Sequence, residues 1–395
     1  MPVTFLLAGR APHRTRHILV PVPLRVLHCP TNVGNHPQGL ARAERKLGLE
    51  SWCVEIEGAW LEYEVDEIAA LPGSSVVVAE VHRWRLLRRA LRDYDVIHFN
   101  FGQSLLPPIS RVRGGGIVHV LGRRYRQLVA MRDLPLLRRA GKVIAVTFQG
   151  DDARQGTGPD VTRAHRRLAR EVKDYYTPPA DELKRRVIST FDDHADLIFF
   201  VNPDLGDLLP ERAQFVPYAH VDPREWTARG ARELPSAPTI VHAPTHRDVK
   251  GTRYVIHAVA QLRAEGIAVE LRLVEGLPHA EARRVYERAD LLVDQLLVGW
   301  YGGVAVECMA LGVPVVCFID EEAARRHAPA DLVRDLPIVR AAPVDLLSVL
   351  RDLLTTRRNG YAALCHRSRA FADGWHNPAR IAARMSGEYE RVAGG

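Results

Sequence analysis

From Leu291 to Phe318 the chain reads LLVDQLLVGWYGGVAVECMALGVPVVCF, and the spacing within it decides the architecture. Leu291 to Val293 is a short apolar run of strand type. A glycine-bearing turn follows, Val304 to Leu311 has helical spacing and stops at Gly312, and Val313 to Phe318 is again apolar throughout. Strand, helix and strand in close succession, each strand apolar on both faces, predict a βαβ unit of a buried parallel sheet.

The alternation extends backwards through strand Thr239 to His242, helix Thr252 to Ala264, strand Val269 to Val274 and helix His279 to Arg288. After Ala342 the pattern is wholly helical, with candidates at Val344 to Thr355, Tyr361 to Ala372 and Pro378 to Val392. Upstream, Val221 to Pro238 loses periodicity and gathers Pro, Gly and charge, the composition of an interdomain linker.

Before that linker a second alternation runs from the strand Leu24 to Cys29. A helix over Leu40 to Leu47 follows, then strands at Trp52 to Ile56, Val76 to Ala79, Val96 to Phe99, Val143 to Phe148, Leu197 to Val201 and Phe215 to Pro217. Arg-rich amphipathic helices separate them. The expected fold is α/β, two Rossmann-like doubly wound domains facing a cleft. A Pro- and Arg-rich leader over 1–23, a first domain over 24–220, a linker over 221–238 and a second domain over 239–373 make up the expected organisation.

Composition narrows the class. Of 395 residues 47% are hydrophobic and 26% charged, which excludes a disordered or fibrous chain. No apolar run reaches the roughly 20 residues of a membrane-spanning helix, and MPVTFLLAGRAPHRTRH reads as neither signal peptide nor anchor. Cys29, Cys53, Cys308, Cys317 and Cys365 are odd in number and contain no CxxC pair, so the expectation is a reducing cytoplasm, with no disulfide framework and no zinc site. The net charge of +7 comes almost entirely from arginine. Arg83 to Arg92 and Arg163 to Arg170 read as solvated faces of amphipathic helices rather than a nucleic-acid surface.

Two elements of the second domain carry the sharpest chemistry. HAPTHRDVKGT, His242 to Thr252, ends a strand in a loop with Arg247 and Lys250 before a helix, where cations and free helix N–H groups suit a diphosphate; a plain polar loop is the competing reading. In GWYGGVAVECMALGVPVV, Gly299 to Val316, Gly302 and Gly303 open a helix and leave its amides unobstructed. Glu307, one turn in, can accept two ribose hydroxyls. Packing of small residues against a sheet, with Glu307 solvated, is the alternative there.

These elements resemble the donor site of GT-B-fold glycosyltransferases, in particular the retaining family 4 group. Arg247 and Lys250-Gly251 match that group's diphosphate-gripping loop, and Gly299 through Val316 match its E-G-F-G-x-x-x-x-E segment and following G-x-P-V-V strand. The resemblance implies that Glu307 holds the donor ribose and that backbone around Trp300, Tyr301, Gly302, Gly303 and Val304 faces diphosphate and sugar. Gly299 stands where the group carries its first Glu. The Thr31 to Gly39 loop, with Gly34, resembles the loop that closes over the donor phosphates; a generic βα turn is the other reading.

On the acceptor side the candidates are Asn100 at a strand end and the cluster Gln149, Asp151 and Asp152, with Arg154 nearby. Carboxylates there can orient an acceptor, or Asp152 and Arg154 can simply fold the loop. His98 reads as a core histidine, and the D-x-D at Asp93 and Asp95 precedes its strand and is set aside. Gln149 replaces the group's acceptor-loop His, so no general base stands out. The resemblance supplies a mechanism without one, in which the leaving diphosphate takes the acceptor proton. It also implies that residues 374–395 form a helix crossing back to the first domain.

The expected activity is therefore transfer of a hexosyl unit from a UDP- or GDP-sugar to a small-molecule, glycan or lipid acceptor, with retention and with no metal or other cofactor. No nucleic-acid partner is expected; peripheral contact with a membrane and a homodimer are both compatible with the sequence. Two alternatives stay open: a nucleotide-sugar-binding pseudo-enzyme, suggested by Gly299 and Gln149, and a nucleotide-sugar epimerase of the same fold.

Overall fold

Every strand pairing is parallel, as apolar runs separated by helices require. The computed structural model describes residues 23–58, 62–70, 73–108, 117–230 and 232–394. The expected leader, apart from residue 23, lies outside them.

The first domain runs β1 (Arg25–Cys29), α1 (His36–Lys46), β2 (Glu50–Glu57), β3 (Glu67–Ala70), α2 (Val76–Asp93), β4 (Val96–Asn100), α3 (Ile117–Val129), α4 (Asp133–Arg139), β5 (Val143–Phe148), α5 (Arg163–Glu171), α6 (Pro178–His194), β6 (Leu197–Phe200) and β7 (Gln214–Phe215). The second runs β8 (Thr239–His242), α7 (Arg247–Lys250), α8 (Thr252–Ala264), β9 (Glu270–Leu273), α9 (His279–Tyr286), β10 (Leu291–Val293), α10 (Gly303–Ala310), β11 (Val315–Cys317), α11 (Glu321–His327), α12 (Ala330–Asp335) and β12 (Val339–Arg340). The helices α13 (Leu346–Leu354), α14 (Tyr361–Trp375) and α15 (Pro378–Ala393) close the chain. None of the described helices is long and apolar enough to cross a membrane.

The seven-stranded sheet has the order β3-β2-β1-β4-β5-β6-β7, and the five-stranded sheet the order β12-β11-β10-β8-β9. Strand order therefore reverses between β1 and β4 in one sheet and between β8 and β10 in the other. At such a reversal the two flanking loops diverge to opposite faces and leave a crevice at the carboxyl edge. Gly34 follows β1 and Asn100 ends β4; Lys250 follows β8 and Gly302 follows β10. The candidates from distant parts of the sequence thus fall at the two places where topology makes room for a ligand.

One local expectation is corrected, and another segment supplies the strand. Val76 to Ala79 is the first turn of α2 rather than a strand, because Ser75 Oγ accepts the Val78 amide at 3.3 Å and caps a helix there. The strand that fills the edge position is β3, EIAA, whose short, half-polar pattern suits an edge and carries no apolar signal.

Asn377 caps α15 through its side chain, Pro378 occupies the first turn, and the helix lies against α1 and β5 of the first domain. Tyr389 on α15 reaches His98 Nδ1 at 2.7 Å, and Thr147 Oγ1 meets His98 Nε2 at 2.7 Å. Burial holds that imidazole neutral, well below its ordinary pKa, as befits a core histidine with both nitrogens partnered. All five cysteines are buried free thiols.

Candidate active site

At the first crevice the chain leaves β1 and turns through Gly34 (φ +61°) and Asn35 (φ 57°) into α1. Gly39 lies so close to the next segment that a Cβ on it would stand 2.2 Å from the Ala219 carbonyl oxygen. Here glycine is required for contact rather than for φ. The Ala219 amide donates to His36 Nδ1 at 3.0 Å, so the ring's proton sits on Nε2. Burial, with His220 next in effect, pushes the His36 pKa down to about 3. The β1 loop is in this way joined to the segment leaving β7.

The second crevice is assembled by β8 and β10. His242 at the end of β8 donates from Nδ1 to the Val293 carbonyl at 2.7 Å and accepts the Thr252 hydroxyl at 2.9 Å, which ties the α8 start to β10. Between them α7 makes a single turn and Gly251 (φ +79°) reverses the chain. Lys250 then projects to Gln295, whose amide in turn binds the Trp300 carbonyl. A Cβ on Gly302 would lie 3.5 Å from Lys250 Nζ and 3.6 Å from Asp294 Oδ2. An ammonium, a carboxylate and the N-terminus of α10 therefore meet around a residue with no side chain.

Asp294 Oδ2 accepts the Gly302 amide at 2.7 Å. No sequence argument assigned it a role, although its position at the end of β10 was the available signal. One turn into α10, Glu307 is buried and its Oε1 lies 2.8 Å from His279 Nε2 and 3.6 Å from His220 Nε2. His220 Nε2 is also 3.2 Å from the Gly303 carbonyl oxygen. Burial lowers the His220 pKa, and the Glu307 charge only partly offsets that. Around His279 stand Tyr63, at a ring separation of 4.5 Å, and Trp226 at 6.0 Å.

Not every donor-side candidate enters this cluster. Trp300 and Tyr301 stack on each other at 4.7 Å with no exposed surface, and the Tyr301 hydroxyl meets His376 Nε2 at 2.9 Å. Their side chains belong to the core, which leaves only their backbone for a ligand. Arg247 lies on the rim, its side chain 57% exposed and its Nε 2.8 Å from Glu275 Oε1.

On the acceptor side Asp152 is hydrogen-bonded to its own loop. Its carboxylate accepts the Gln149 amide at 3.0 Å and the Gly150 amide at 2.6 Å, so it shapes the turn after β5; burial raises its pKa to about 6 against those bonds. Asp151 accepts hydroxyls from Tyr175 and, at 3.0 Å, from Tyr176. Gln149 Nε2 and Asn100 Oδ1 are buried with no hydrogen-bond partner among the described residues, one a donor and one an acceptor at the ends of adjacent strands.

Arg154 pairs across the loop with Asp204 rather than with Asp152. Its Nε is 2.6 Å from Asp204 Oδ2, which His165 Nε2 approaches at 2.8 Å. Burial opposes the Asp204 charge, yet Arg154 and His165 together hold its carboxyl far below the usual range. This cluster walls in Gly299: a Cβ there would be 2.9 Å from Asp320 Cβ and 3.4 Å from Asp204 Cβ. Beside it, Leu168, Val172 and Tyr176 pack on Val249, Leu297 and Val298 and close that flank between the domains with apolar contact. Asp93 pairs with Arg92, and Asp95 with Arg25, ahead of β4 at the sheet edge opposite the crevice. Among the described residues no three His, Cys, Asp or Glu side chains converge to hold a metal ion.

No family model matches the chain, and no curated protein matches it. Solved structures do. Sucrose-phosphate synthase from Thermosynechococcus elongatus is similar over 94% of this chain and 99% of its own, at 14% identity and a TM-score of 0.55. The catalytic domain of starch synthase IV from Arabidopsis thaliana, solved with ADP and acarbose, is similar over 95% of this chain and 100% of its own, at 11% identity and a TM-score of 0.56. The two parallel-sheet domains form the GT-B fold.

Proposed function

We propose that the protein transfers a hexosyl unit from a UDP- or GDP-sugar to a hydroxyl-bearing small-molecule, glycan or lipid acceptor, with retention of configuration. The observation that carries this reading is the position of Lys250 Nζ beside Gly302, at the N-terminus of α10, with Glu307 one turn further in. A helix N-terminus flanked by a lysine attracts a diphosphate, and a carboxylate at that depth is the acceptor that a ribose diol needs.

In this reading Lys250 and the amides of Gly303 and Val304 bear on the donor diphosphate, with Gly34 admitting the β1 loop from the other domain and Arg247 at the rim. Negative charge grows on the diphosphate as the glycosidic bond breaks. Lys250 and the helix dipole offset it without a bound metal, and each preorganised donor contributes on the order of 3 kcal/mol. The diphosphate oxygen that gains this charge takes the acceptor proton. Gln149 and Asn100, with one unpartnered polar atom each, are suited to fix the acceptor hydroxyl, while Asp151 and Asp152 hold their loop.

Isothermal titration with UDP, GDP and their hexose conjugates, with and without magnesium, tests the donor site. One base binds independently of magnesium, and Lys250→Ala weakens it by about 10- to 100-fold, the loss expected for hydrogen bonds to a charged group. A folded Lys250→Ala that binds as tightly as the parent overturns the assignment.

A further inference from the structure

A surface of the first domain is apolar on its outer side. α2 turns Ala79, Leu86, Leu87 and Ala90 inward. On its other side Val76, Val77, Val81 and Trp84 are 65%, 70%, 42% and 40% exposed, and on neighbouring α3 Leu128 is 73% exposed. Between the two helices runs a groove of about 590 Å³. Water-facing aliphatic side chains grouped in this way mark a contact surface, whereas singly scattered ones do not.

Its rim is cationic. Arg85 and Arg88 line the groove and are exposed, and among the described residues neither is paired with an acid. The acid inside the groove, Glu80, accepts the Tyr125 hydroxyl at 2.9 Å and lies 3.9 Å from Arg126. The place of the groove is set by topology. α2 follows β3, and the Met131 amide just after α3 donates to the Leu106 carbonyl at 2.7 Å, so both helices lie beside the carboxyl edge of the sheet that bears Asn100 and Gln149. Arg83 fastens α2 to the loop leaving β4 by donating to the Leu105 carbonyl at 3.3 Å.

We propose that this surface seats the protein on an anionic lipid bilayer, which presents the acceptor side of the crevice to a membrane-borne acceptor. Val76, Val77 and Leu128 enter the acyl boundary, Trp84 and Tyr125 sit at headgroup depth, and Arg85 and Arg88 meet lipid phosphates. Charge and side-chain type select this occupant. A second copy would bring one arginine rim against another, and the most exposed side chains, Val76, Val77 and Leu128, offer a nucleic-acid base no stacking face, Trp84 and Tyr125 being less exposed and hydrogen-bonded to each other. Binding at this surface requires no donor nucleotide, so it stands or falls separately from the transfer reading.

The test is co-flotation of the full chain with vesicles of phosphatidylcholine alone and of phosphatidylcholine mixed with phosphatidylglycerol. The protein floats with the anionic vesicles, less so in high salt, and stays behind with the neutral ones. The pair Val77→Glu and Leu128→Glu, and separately the pair Arg85→Glu and Arg88→Glu, each lower the partition coefficient on the order of tenfold or more. Val344→Glu, an equally chemical change at an 88% exposed valine of the second domain, leaves it unchanged. Circular dichroism and an unchanged urea midpoint confirm that the variants fold. Failure of the parent to float, equal flotation on neutral vesicles, or variants that float as well as the parent would overturn the proposal. So would a solution dimer that Val77→Glu dissolves, since that outcome assigns the surface to a second copy.

Discussion

His279 Nε2 stands 2.8 Å from Glu307 Oε1, and the same imidazole lies against the ring of Tyr63 from the other domain. The carboxylate proposed to hold a ribose is thus already oriented by a histidine, whose own position is set by an aromatic residue across the crevice. A buried carboxylate with an aligned partner is preorganised for a second hydrogen bond, because its rotamer is fixed before the ligand arrives.

Replacing Glu307 by Gln keeps the shape and removes the charge. Nucleotide affinity should fall by about 10- to 100-fold, while the sugar-free diphosphate group alone, tested as pyrophosphate, should bind as before. Titration calorimetry decides this; equal losses for both ligands would move Glu307 from the ribose to the folding of α10.

Restoring the missing carboxylate should not help. Gly299→Glu forces a Cβ to within 2.9 Å of Asp320 Cβ and sets a negative charge beside buried Asp204. Overpacking of this kind costs about 1–3 kcal/mol, so the urea midpoint should drop and turnover should not rise. A stable Gly299→Glu protein with improved transfer would show that the wall around Gly299 yields.

Asp204→Asn leaves buried Arg154 with Asp151, 3.7 Å away, as its remaining acidic neighbour. Loss of one partner of a buried pair costs about 3–5 kcal/mol, read as a lowered unfolding midpoint in urea. Exchanging both, Asp204→Leu with Arg154→Met, should recover much of that loss, since no charge is then stranded. A single variant as stable as the parent would mean that water reaches Arg154.

Acid should weaken the fold well above the carboxylate range. Burial lowers the pKa of His36 and of His376 to about 3, against 6.5 in the unfolded chain. Between those values the unfolded state binds more protons, so stability decreases as pH falls from about 6.5 towards 3. Each histidine then accounts for roughly 2 kcal/mol of stability lost between about pH 7 and pH 5. Urea titrations at the two pH values measure it, and His376→Gln should flatten the dependence by one histidine's share.

From Thr239 to Phe318 the second domain was legible because strand and helix patterns alternate closely there, whereas α11, α12 and β12 carried no pattern that was read from the sequence. Helix Thr252 to Ala264 is observed at the bounds its spacing predicts, and β10, α10 and β11 lie where LLV, VAVECMA and VPVV place them. The first domain was less so at Val76 to Ala79, where three valines read as strand but a single serine cap decides for helix. The partners of Arg154 and Glu307 carried no sequence signal. Asp204 is 50 residues from the one, and His279 is 28 residues from the other.

Local pattern determined that this chain makes parallel sheets with helices between them, and that Lys250, Gly302 and Glu307 sit at strand ends, since burial of apolar faces with periods of two and 3.6 residues depends on neighbours in the chain. Only the tertiary structure decided which groups those residues meet. It put Asp294 on the Gly302 amide, His279 on Glu307 and Asp204 on Arg154, and it enclosed Gly299 so tightly that a side chain there must displace its neighbours. Such contacts arise from strand order and domain docking, which bring together residues whose separation along the chain carries no periodic signal.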